Sequence, residues 1–179
     1  MSRTAVIVVD MINGYEHEDA ERLVPSARRT VPMMRKLIDR ARAADVEVIY
    51  VNDNLGRWRS QMSDMVREAA RGPHADLVEA VCPDEDSLFV VKARHSIFYQ
   101  TPLEYLLSQH GIDHIVLCGQ VTEQCILYSA LDAHIRKIDV TVARDAVAHI
   151  DPELARAALR MMERNMGAVV APADEIDLG

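Results

Sequence analysis

The chain has 179 residues, a formal net charge of −8 and 49% hydrophobic residues, the make-up of one ordinary globular domain over 1–179. Its Lys and Arg side chains form no long basic run, which excludes a partner held through a phosphate backbone and leaves small molecules or protein surfaces. No apolar stretch is long enough to span a membrane, and a strand follows Met1-Ser-Arg-Thr4 without a signal peptide's apolar core, so the expected compartment is the cytoplasm. Cys82, Cys118 and Cys125 form no C-x-x-C pair and leave one cysteine unmatched, which suits free thiols in a reducing compartment.

In chain order, short β-branched runs alternate with longer amphipathic stretches, the pattern of βα units around a parallel sheet. Strands are expected near 4–9, 46–51, 88–91, 114–118, 139–143 and 168–171, and helices near 26–44, 61–70, 102–110, 123–136 and 153–165. Runs such as Val46-Glu-Val-Ile-Tyr-Val51 are too short and too β-branched for helices, whereas the apolar residues from Met33 recur at helical spacing. The fold class is therefore α/β: a mostly parallel, six-stranded sheet in a three-layer αβα sandwich. The longest irregular region, 52–87, is expected to form a lid or rim.

Three reactive side chains lie just beyond carboxyl ends of these strands: Asp10 after Ala5-Val-Ile-Val-Val9, Lys92 after Leu88-Phe-Val-Val91, and Cys125 in Gly119-Gln-Val-Thr-Glu-Gln-Cys125. That edge is where open α/β sheets bind ligands, and a carboxylate, an ammonium and a thiol there suit nucleophilic chemistry. Gly119 permits a sharp turn, Thr122 reads as an N-cap, and Cys125 falls in the first turn of a helix, where the dipole and unpaired N–H groups favour a thiolate and can hold an oxyanion. Each residue also has a plainer role. Asp10 can cap the turn at Asn13-Gly14, and Cys125 can be a small core residue, as Cys118 is inside its strand. Lys92 is harder to dismiss, because a buried ammonium needs a carboxylate partner.

The chain resembles the cysteine hydrolases of the isochorismatase-like superfamily along essentially its whole length. The marks are Val8-Val-Asp-Met-Ile-Asn13, Lys92-Ala-Arg-His-Ser-Ile-Phe-Tyr-Gln-Thr-Pro-Leu103 and Gly119-Gln-Val-Thr-Glu-Gln-Cys125. The resemblance implies an αβα fold, a triad of Asp10, Lys92 and Cys125, hydrolysis of an amide or ureido C–N bond, a homo-oligomer, and a cis peptide from Val121 to Thr122 that orients oxyanion donors beside Cys125. Nicotinamidases of that superfamily carry Asp and His zinc ligands after the second strand. Here Asn52-Asp-Asn-Leu-Gly-Arg-Trp58 offers Asp53 without a nearby histidine, so neither a catalytic metal nor any other cofactor is expected, and His95 and His149 read as surface or structural. Arg57, Trp58 and Arg59 are candidates for stacking on a planar substrate and pairing with its carboxylate, and Asn13, Phe98 and Tyr99 are candidate walls because they follow the triad strands.

Other classes fit less well. True isochorismatases of the superfamily cleave a vinyl ether without the cysteine. A receiver-like regulatory domain needs an acidic pair after its first strand, where Asp10 stands alone, and a phosphorylatable Asp where this chain has Lys92. A dinucleotide-binding module needs G-x-G-x-x-G after the first strand, where this chain reads Asp10-Met-Ile-Asn-Gly14. A catalytically silent scaffold would leave Cys125 unreactive.

Overall fold

Six strands pair in parallel in the computed structural model, which describes residues 3–58 and 61–179: β1 (Thr4–Val9), β2 (Glu47–Asp53), β3 (Leu88–Lys92), β4 (His114–Gln120), β5 (Asp139–Ala148) and β6 (Val169–Ala171). Their order across the sheet is β3-β2-β1-β4-β5-β6. The chain steps outward from β1 in one direction, then returns to place β4 on the other side of β1. Where the two directions diverge, the loops after β1 and β4 leave the sheet to opposite faces and open a crevice.

Alternation along each strand fills both layers. Val6, Val8, Val48 and Tyr50 face one side, against α1 (Ala20–Ala43), α2 (Met62–Ala69) and α3 (Ala75–Glu79). Ala5, Ile7, Val9, Ile49 and Val51 face the other, against α4 (Leu103–Gln109), α5 (Leu127–Ile135) and α6 (Pro152–Met166). Both faces of β1 are buried, and removing a side chain such as Ile7 from water contributes about 2 kcal/mol. The best-capped helix is α6: the Asp151 carboxylate accepts from Glu153 N at 2.8 Å and Leu154 N at 3.1 Å, Pro152 opens the first turn, and Gly167 closes the last at φ 70°.

Three boundaries differ from the sequence reading. Helix α1 starts at Ala20 and contains Pro25 and Pro32, where the sequence reading began the helix after the first proline. Its buried stripe, from Leu23 and Val24 to Ile38 and Ala41, holds the helix against the sheet despite the lost N–H groups. Strand β5 runs to Ala148 instead of stopping near 143, because the register skips between Leu117↔Val142 and Gly119↔Val147 and the chain re-pairs after the irregularity. Segment 52–87 is only partly a rim: α2 and α3 pack through Met65, Ala69, Leu77 and Val78 under α1, which leaves Leu55, Gly56, Arg57 and Trp58 at the cavity mouths. Among the described residues, no helix is long and apolar enough to cross a membrane.

Candidate active site

Asp10 leaves β1 with φ 55°, a left-handed conformation that turns its side chain across the end of β2. Its N–H still pairs with Val51 O at 3.0 Å, while its Oδ1 accepts from Asp53 N at 2.7 Å and its carbonyl accepts from Gln120 Nε2 at 2.8 Å. Lys92 ends β3, on the edge of the sheet, and its fully buried side chain reaches inward across β2. The ammonium lies 2.8 Å from Asp10 Oδ2, 3.6 Å from Asp53 Oδ2 and 3.7 Å from Cys125 Sγ.

Beyond β4 the chain forms a π-helical turn, Thr122–Ile126, that runs directly into α5 and places Cys125 over the end of β1. Two details of that segment correct the sequence reading. Thr122 does not cap the helix: its hydroxyl donates to Ala148 O at 2.9 Å, tying the turn to β5, and the N–H groups of Gln124 and Ile126 both donate to Val121 O. The non-proline cis bond joins Gln120 to Val121, one residue before the expected Val121 to Thr122 position. Gln120 is still paired with Ala148 in the sheet and Thr122 already belongs to the π-turn, so the change of direction falls directly after the strand.

Glycine is required at position 119. It lies opposite Val9 in the β1–β4 register with φ 114°, and a Cβ there would stand 2.2 Å from Val9 O. The close approach of the two backbones brings the cysteine turn over Asp10.

The charges at the site are interdependent. Burial pushes the Asp10 carboxyl above its ordinary range, with the Lys92 ammonium opposing the rise. For Lys92, burial favours the neutral amine, but the adjacent Asp10, Cys125 and Asp53 outweigh it and hold the ammonium above its usual range. Burial, followed by the negative charge of Asp10, pushes the Cys125 thiol up to about 12, against the pull of Lys92 and a hydrogen bond from the Val121 backbone. This corrects the expectation of a thiolate favoured by the helix start. The resting sulfur carries its proton beside a carboxylate able to take it.

Cys125, Asp10 and Asp53 line a cavity of about 210 Å³ together with Asn13, Gln124 and His95. This is smaller than the range of roughly 300–1,000 Å³ that holds drug-sized ligands. His95 is the residue that sequence reasoning set aside. Its Nδ1 lies 3.7 Å from Cys125 Sγ and its ring rests against Tyr128. Its position three residues after Lys92, on a loop at the ligand-binding edge of the sheet, was the available signal. His149 lies away from the sulfur, with Nδ1 3.1 Å from Ser26 Oγ.

The remaining candidates divide. Asn13 lies on the cavity wall, with its Oδ1 accepting from Tyr15 N at 2.7 Å. Trp58, 83% exposed, Arg57 and Tyr99 border a second, wider cavity beyond Asp53. The Arg57 guanidinium is ion-paired with Glu68. Phe98 does not form a wall: it is buried in the α4–α6 core with the Arg136 guanidinium 5.0 Å above its ring. Arg59 lies outside the described residues. The Asp53 carboxylate is engaged by Lys92 and by Leu55 N at 2.8 Å.

A profile of the isochorismatase domain matches residues 4–175. The isochorismatase family protein YaaI of Bacillus subtilis is 31% identical over 172 residues, covering 96% of this chain and 95% of that protein. The ureidoacrylate amidohydrolase RutB of Agrobacterium fabrum is 27% identical over 203 aligned residues, covering 97% and 88%. Among solved structures, the N-carbamoylsarcosine amidase of Thermoplasma acidophilum superimposes with a TM-score of 0.76 at 30% identity, covering 98% of this chain and 99% of the amidase.

Proposed function

Because the chain belongs to the isochorismatase family, we propose that it is a cysteine-dependent hydrolase of a small-molecule amide or ureido C–N bond. The observation that carries this reading is the convergence of Asp10, Lys92 and Cys125 on one small cavity, with the ammonium 2.8 Å from the carboxylate and 3.7 Å from the sulfur. The names of the relatives, a ureidoacrylate amidohydrolase and an N-carbamoylsarcosine amidase, support the bond type.

In the proposed cycle a substrate carbonyl enters beside Cys125, and Asp10 takes the thiol proton as the sulfur attacks the carbonyl carbon. Lys92 compensates the negative charge that passes from Asp10 to sulfur and on to oxygen. The Val121 and Cys125 N–H groups hold the oxyanion, so Val121 and Thr122 contribute through the backbone that shapes the turn. When the C–N bond breaks, Asp10 returns its proton to the departing nitrogen and leaves a thioester on Cys125. A water molecule then enters, gives a proton to Asp10 and attacks the acyl carbon, and the C–S bond breaks as the proton returns to sulfur. A high resting thiol pKa fits this scheme, because ionisation is coupled to attack.

The test is Cys125→Ala, assayed by amine or ammonia release across a panel of small amides and ureides. Turnover is expected to fall by more than about a thousandfold while the circular dichroism is unchanged. Trapping an acylated Cys125 peptide from the wild type on a turned-over substrate would supply the positive half. Undiminished release by the alanine variant sinks the covalent scheme.

A further inference from the structure

The cavity that holds the sulfur is lined by three carboxylates, Asp10, Asp19 and Asp53. Against them stands one fixed ammonium among the described residues, that of Lys92, already held by Asp10 at 2.8 Å and Asp53 at 3.6 Å. The guanidinium nearest to Asp19 belongs to exposed Arg22, 3.2 Å from its carboxylate, and Arg94 borders the other cavity. The start of α1 contributes only about half a positive charge, already countered by Asp19 and Glu21. The rest of the polar wall consists of the amides of Asn13, Asn52, Gln120 and Gln124 and the imidazoles of His17 and His95. The Asn13 amide orders its own turn through Oδ1, and the Gln124 amide has no hydrogen bond to another described residue.

We propose that this site selects a small amide or ureide whose remote end is uncharged or cationic, and that it discriminates against a carboxylate at that end. The inference rests on the cysteine chemistry proposed above and deepens it. Within about 210 Å³ an anionic group has no position away from Asp10 and Asp53, and the protein flank of the cavity screens the repulsion less than open solvent does. Gln124 and Asn13 instead present amide groups suited to a second neutral carbonyl or amino group. The preference separates this chain from the ureidoacrylate and N-carbamoylsarcosine chemistry named for its relatives, since both of those compounds carry a carboxylate.

The experiment compares iodoacetamide with iodoacetate, near-isosteric alkylators that differ in charge, on the folded full-length protein. Labelling of each cysteine is read by peptide mass spectrometry, and the rate ratio is normalised to the same ratio for 2-mercaptoethanol. For Cys125 the normalised ratio is expected to favour the amide by about tenfold or more, and Asp19→Asn is expected to reduce it by about twofold. A normalised ratio at or below one overturns the charge selection and leaves the nucleophile reading standing. If Cys125→Ala releases amine from amides and ureides as fast as the wild type, the nucleophile reading falls and the selection falls with it.

Discussion

In the proposed mechanism Asp10 acts on Cys125 in two opposed ways: as an anion it makes the thiol harder to ionise, and as a base it would remove the proton. The opposition gives a sharp prediction. In Asp10→Asn the sulfur keeps its ammonium neighbour but loses the repelling charge, so the pH at which Cys125 alkylates is expected to fall, while amide turnover drops by about 10²- to 10⁴-fold. Iodoacetamide rates across pH 7 to 10, measured beside turnover, check both halves; a parallel loss of alkylation and turnover would mean that Asp10 mainly holds the geometry. Much of this was readable beforehand. A lysine directly after an apolar strand demands a carboxylate, and Asp10, beyond the end of β1 two strands away, supplies it. The raised thiol was not readable, because burial and the placement of Asp10 beside the sulfur are properties of the assembled cleft. Likewise, the position of His95 three residues past a strand puts it at the ligand-binding edge, but only the 3.7 Å approach to Cys125 separates it from a surface residue.

The close crossing of β1 and β4 sets what the cysteine-bearing element tolerates. Gly119→Ala would place a methyl group 2.2 Å from Val9 O at a φ of 114°. The two strands cannot separate without breaking the centre of the sheet, so the substitution is expected to cost more than about 3 kcal/mol and to lower the urea midpoint sharply. A midpoint within experimental error of wild type would refute the crowding. At this scale the strands were largely legible, since β-branched runs bounded by turn residues mark them locally. The exceptions have physical causes. Pro25 reads as a boundary, yet the buried face of α1 continues across it. Arg144-Asp145 reads as the end of a strand, yet Ala146, Val147 and Ala148 resume the ladder beyond the irregularity. The π-turn could not be distinguished from an ordinary helix start, because its extra residue is fixed by the tie from Thr122 to Ala148 and not by local propensity.

Across the whole molecule, two histidines away from the cleft couple stability to acidity. His114 stands between Thr4 and Thr141 at 3.0 and 2.9 Å, and His149 contacts Ser26; burial lowers both pKa values, with nearby carboxylates in partial opposition. The unfolded chain therefore binds protons near pH 6.5 that the folded chain does not, and stability is expected to fall as pH drops from 7 through that region. Urea midpoints at pH 7.5 and 5.5 test this: the decrease is expected to shrink in His114→Gln, and an unchanged decrease would remove His114 as a source. Assembly imposes a second coupling. Lys92 belongs to the outermost strand on its side, whereas Asp10 and Cys125 come from the middle of the sheet, and the sequence separation between Lys92 and Cys125 is 33 residues. A molecule whose edge strand has peeled away would retain most of its sheet but lack the positive charge beside Asp10 and the Cys125 sulfur. Enzymatic activity would then report on the integrity of that margin, and partial fraying at the edge would silence a site whose other two members had not moved.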